Sequence, residues 1–74
     1  MTSDRPQKHS LTLQGHRTSV TSEAPFWDEF CRIARVRGVS VNALATELDA
    51  LRTPPASLAS AIRLFVLAEV KAGR

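Results

Sequence analysis

Arg17, Ser19 and Thr21 stand at alternate positions of the run His16-Arg17-Thr18-Ser19-Val20-Thr21-Ser22. That run is short and rich in Thr, Ser and Val, the composition of a β-strand. Successive strand side chains point to opposite faces, so these three share one side while Val20, with Thr18, takes the other. The Val20 side belongs on helices. The Arg/Ser/Thr side is then polar, exposed and full of hydrogen-bonding groups, which suits recognition.

Covalent and metal chemistry find little support elsewhere. No Ser/His/Asp, Cys/His or paired-carboxylate arrangement stands out, and no Cys/His cluster has zinc-ligand spacing. His9 and His16 lack any partner pattern for catalysis or a metal. Cys31 falls on an apolar helix side, where a cysteine is a small core residue. At 74 residues and 8.1 kDa there is little room for a pocket. The expectation is no enzyme, no metal and no cofactor.

The elements that must hold the polar strand face begin with an arm. Residues 1–8 are polar and carry Pro6, which reads as a flexible N-terminal arm before a domain over 9–74. In the arm region Arg5, Lys8 and His9 offer groups that either reach along an anionic backbone or stay in a solvated tail. Leu11 and Leu13 alternate weakly, and Gln14-Gly15 interrupts. A small hairpin and an extension that orders only on binding both fit. A strand running straight through Gly15 would put Leu11 and Leu13 on the face of Arg17 and Ser19, so a bend or bulge is expected there.

After the strand the pattern is helical. The first helix is predicted from about Glu23 to Arg37, with Pro25 tolerable in its first turn and Gly38 as its stop. Phe26, Phe30, Ile33 and Ala34 form its apolar stripe, with Trp27 and Cys31 beside it. Ser40 is a good N-cap for a second helix, Val41 to about Arg52, with Val41, Leu44, Ala45, Leu48 and Leu51 inward. Thr53-Pro54-Pro55-Ala56 breaks it. Ser57 caps a third, Leu58 to about Lys71, with Leu58, Ala61, Ile62, Phe65 and Val66 inward. Leu64, Leu67 and Val70 widen its apolar surface beyond what so small a chain covers, which points to a partner subunit.

A single strand cannot satisfy its own backbone groups, because each ladder partner comes from another strand. The reading is therefore mainly α, with one N-terminal β-strand plus three helices and the strand paired across a homodimer. One cysteine allows no internal disulfide, and a core this small gains from oligomerisation. A pair of antiparallel strands has the shape that fits the DNA major groove. The net charge of +3 and pI near 10.0 favour an anionic partner. No apolar run reaches the ~18 residues of a membrane span, and no signal peptide is visible. The expected location is the cytoplasm, where a free Cys31 fits a reducing compartment.

Two stretches carry a resemblance. Arg17-Thr18-Ser19-Val20-Thr21 is followed, at a helix's distance, by Arg37-Gly38-Val39-Ser40-Val41-Asn42-Ala43-Leu44. A strand, a helix ending in glycine and a capped second helix in that order resemble the bacterial ribbon-helix-helix family of the MetJ/Arc type. Gly15-His16-Arg17-Thr18-Ser19-Val20 is similar to a short bacterial subgroup with a further C-terminal helix. The match covers about residues 16–52, and 57–71 only as added helix.

The resemblance implies an intertwined homodimer acting on double-stranded DNA as a transcriptional regulator, most simply a repressor. It gives base contact to Arg17, Ser19 and Thr21, and phosphate contact to Ser40, Val41 and Asn42. Elementary chemistry agrees: arginine donates bidentately to guanine O6 and N7, hydroxyls read donors or acceptors, and free N–H groups at a helix start bind anions. Glu47 and Asp49 on the second helix do not help DNA binding. The alternative is a dimeric protein-interaction module, antitoxin-like or adaptor-like, docking a partner on Leu64, Leu67 and Val70.

Overall fold

The computed structural model describes residues 5–73. Its elements are β1 (Gln7–Leu13), β2 (His16–Ser22), α1 (Ala24–Arg37), α2 (Val41–Leu51) and α3 (Leu58–Lys71). Helix accounts for 57% of it, so the chain is mainly α as its sequence predicts.

The strand count is corrected. Two strands form rather than one, and they pair antiparallel within the chain, with Leu13 opposite His16 and Gln7 opposite Ser22. The cause lies at Gln14 (φ 51°) and Gly15 (φ 84°), both left-handed. Two consecutive positive φ values make the type I′ turn, whose twist matches that of the strands it joins. The turn reverses the chain, so Leu11 and Leu13 arrive on the face of Val20 and not on that of Arg17. Gln7 and Lys8, expected in the arm, open β1, while residues 1–4 lie outside the described residues. The lone-strand argument for a second copy therefore falls: one edge of β2 finds its ladder at home.

The helices start and stop where the local chemistry places them. Gly38 (φ 72°) ends α1 in a Schellman turn, its N–H donating to the Arg35 carbonyl at 3.1 Å and the Val39 N–H to Ala34 at 3.0 Å. Ser40 Oγ accepts the Ala43 N–H at 3.0 Å, and Ser57 Oγ accepts that of Ser60 at 3.1 Å. Both are N-caps, each worth about 1 kcal/mol over alanine.

The core joins Leu11 and Val20 of the hairpin to Phe30, Ile33 and Ala34 of α1, Leu44 and Ala45 of α2, and Ile62 and Val66 of α3. Phe30 is fully buried and meets Phe65 edge-on, ring centroids 6.2 Å apart. Leu51, expected inward, is instead 79% exposed. It is the last residue of α2, and Arg52 already has extended backbone angles (φ −68°, ψ 136°), so the chain leaves the core there. Leu64, Leu67 and Val70 stand exposed on α3, as their pattern suggested.

Candidate nucleic-acid interface

The hairpin has an apolar face and a polar one. Leu11, Val20 and Ser22 are buried against the helices. Arg17, Ser19 and Thr21 are exposed on the opposite face, where sequence parity places them. Register adds three residues that the sequence reading did not assign to this face: Thr12 lies opposite Arg17, Ser10 opposite Ser19 and Lys8 opposite Thr21. All three are exposed. The hairpin's outward face thus presents two cations and four hydroxyls, with no carboxylate among them.

The turn also sets which backbone groups are spent. The pair flanking a two-residue turn is hydrogen-bonded, and pairs then alternate along the ladder. Arg17, Ser19 and Thr21 accordingly turn their N–H and C=O groups away from β1, to the outer edge of β2. Thr12, Ser10 and Lys8 turn theirs to the outer edge of β1. The β1 edge is partly capped, since Asn42 Oδ1 accepts the Thr12 N–H at 3.0 Å. Among the described residues, no second strand lies along the β2 edge.

That one hydrogen bond connects the two groups of candidates. Thr12 is paired to Arg17 in the ladder and bonded to Asn42 at the start of α2. Within α2, Ala43 donates to Ser40 Oγ and Leu44 to the Ser40 carbonyl, both at 3.0 Å. The N–H groups of Val41 and Asn42 precede the first intrahelical bond and are the helix's free donors. The Val41 side chain packs against the core, so only its backbone faces outward. Asn42 still has its side-chain NH2 to donate.

His9 is not part of any outward arm. It stacks on Trp27 with centroids 4.1 Å apart and planes within 6°, and its Nε2 is buried without a hydrogen-bond partner. The odd parity it shares with Leu11 and Leu13 carries that signal once the turn is known. Lys8, its neighbour, faces outward. Asp49 is held by Arg52 at 2.9 Å, so one of the two acidic groups on α2 is already paired.

Beside the bare edge of β2 lies an open trough of about 680 Å³, lined by Thr18 and Val20, by Thr46 and Ala50 of α2, and by Leu58 and Ala59 of α3. Its lining also includes His16 and Asp49, the latter held by Arg52. Among the described residues no three His, Cys, Asp or Glu side chains come together as a metal site, and no helix is long and apolar enough to cross a membrane.

Comparison with known proteins finds no match among curated proteins or solved structures. The sequence profile of the ribbon-helix-helix domain, however, matches residues 6–70, which spans the hairpin and all but the last residue of α3. The chain therefore belongs to the ribbon-helix-helix domain family, whose members are generally DNA-binding transcription regulators and antitoxins.

Proposed function

We propose that the protein is a cytoplasmic, homodimeric DNA-binding regulator, most simply a repressor that occupies its operator through the major groove. The observation that carries this reading is the acid-free outward face of the hairpin, with Arg17, Ser19 and Thr21 exposed on β2. Arg17 donates to guanine O6 and N7, and the two hydroxyls take either donors or acceptors on base edges. The start of α2 offers the N–H groups of Val41 and Asn42, with the Ser40 hydroxyl, to a flanking phosphate.

A second copy is supported by the free edge of β2 and the trough beside it. Unpaired strand edges are templates for another strand. Antiparallel pairing of two β2 strands about a twofold at Ser19 overlaps the whole of each strand and sets each Arg17 against the partner's Thr21. The sheet order becomes β1-β2-β2-β1, with the two β2 strands as the central ribbon.

Binding to duplex DNA across a salt series tests this. We expect log-linear loss of affinity with salt, and Arg17→Ala to cost about 1–3 kcal/mol with a relaxed sequence preference. Ser19→Cys in a Cys31→Ser background should form an intermolecular disulfide. No duplex binding at low salt overturns the DNA reading, and failure to cross-link overturns this dimer.

Exposed Leu64, Leu67 and Val70 on α3 favour one alternative, a protein-interaction or antitoxin-like module on the same scaffold. A stoichiometric protein complex abolished by Leu64→Ser/Leu67→Ser, with no DNA shift, would decide for it.

A further inference from the structure

We propose that β1 is a backbone clamp: Lys8, Ser10 and Thr12 grip the phosphates at the lips of the groove that the β2 pair enters. The inference rests on the proposed DNA-binding dimer and extends it to a strand that the family resemblance leaves without a role.

The argument is one of width. Strands in a sheet lie about 4.8 Å apart, so the two central β2 strands form a narrow ribbon, while three such spacings put the outer strands about 14 Å apart. The major groove of B-DNA is about 12 Å wide. A four-stranded sheet therefore cannot enter whole. Its inner pair goes in, and each β1 rides over a groove edge, where the phosphate oxygens are.

The chemistry of β1 fits that position. Its exposed outward residues are one ammonium and two hydroxyls, each able to donate to phosphate, and none is a carboxylate. The hydrogen bond from the Thr12 N–H to Asn42 Oδ1 holds the start of α2 against the same edge. The free N–H groups of Val41 and Asn42 thus stand next to the strip made by Thr12, Ser10 and Lys8. Phosphate contact by β1 and by the α2 terminus is then one continuous surface, while Arg17 and Ser19 on β2 are left to the bases.

The test is to measure affinity against salt for the full chain on its preferred duplex and on a scrambled one. The variants are Lys8→Ala, Ser10→Ala/Thr12→Val and Arg17→Ala, with thermal melts as a control on folding. Lys8→Ala is expected to lower the slope of log affinity against log salt by about 0.9. That corresponds to a roughly five- to tenfold loss at 0.1 M salt on both duplexes alike. Ser10→Ala/Thr12→Val is expected to weaken both duplexes equally, with little change in slope. Arg17→Ala is expected to shrink the ratio between the duplexes.

Wild-type protein that binds neither duplex overturns the DNA reading itself. Binding that responds to Arg17→Ala but keeps its salt slope in Lys8→Ala overturns the clamp alone. A changed ratio between duplexes in Lys8→Ala also overturns it, because β1 would then lie inside the groove and read bases.

Discussion

The side-chain oxygen of Asn42 accepts the backbone N–H of Thr12 at 3.0 Å, across thirty residues of chain. This hydrogen bond ties the start of α2 to β1. Exposed bonds of this kind contribute about 0.5–1 kcal/mol, so Asn42→Ala should lower stability by that order. The Thr12 amide should exchange faster with solvent, which hydrogen-exchange NMR reads directly. Asn42→Asp separates structure from function: the acceptor is kept and a negative charge suits a helix start. Its melting temperature should hold or rise while its DNA affinity falls.

The hairpin turn makes a second prediction. Gln14 holds φ at 51° beside Gly15 at 84°, and a side chain other than glycine in that region costs about 1 kcal/mol. Gly15→Ala has open space around its new methyl group but a strained backbone, and should destabilise by about 1–2 kcal/mol. Gln14→Asn supplies the preferred residue of a type I′ turn and should stabilise by a few tenths of a kcal/mol or more. Denaturant midpoints for the two variants should move in opposite directions.

Arg37 ties α1 to α3. Its guanidinium meets the Glu69 carboxylate at 2.9 Å and lies over the Phe65 ring at 5.0 Å. Glu69 is buried, so losing this cation leaves a poorly solvated carboxylate less well compensated. Arg37→Ala should cost about 1–2 kcal/mol, and Arg37→Lys should restore part of it without the flat contact on Phe65. Chemical denaturation of the two variants distinguishes charge from stacking.

Cys31 is a quiet thiol. Burial, and then the carboxylate of Asp28, push its pKa above the ordinary thiol value, with Arg35 pulling weakly the other way. The thiolate is the reactive form, so alkylation at neutral pH should be slower than that of an exposed cysteine. Asp28→Asn should lower the pKa and speed alkylation at a fixed pH, and Arg35→Gln should slow it. Rates with iodoacetamide between pH 7 and 10 check both signs.

Local rules made most of the helices legible. Ser40 and Ser57 cap where a serine precedes an apolar repeat, and Gly38 stops α1 where its φ is positive. The parity of Arg17, Ser19 and Thr21 was enough to place the polar face. The second strand was harder to read, because Gln-Gly is a weaker turn signal than Asn-Gly or Asp-Gly and both Leu11 and Leu13 fit a hairpin or a loose extension. Contacts between distant segments left no mark in the sequence. Neither the Thr12–Asn42 bond nor the Arg37–Glu69 pair follows a helix or strand period, and each exists only because the tertiary fold brings its members together. Leu51 misled through its regular spacing, since a helical stripe says nothing about where the helix leaves the core.

From Leu11 to Val66 the core draws on the hairpin and all three helices, while the edge of β2 has no second strand along it among the described residues. Where the proposed homodimer closes that edge, its formation depends on chain concentration by mass action. Near the dissociation constant of the proposed pair, the dimer grows as the square of the free chain. Operator occupancy would then rise more steeply than protein supply, giving a gene switch its threshold without any effector molecule.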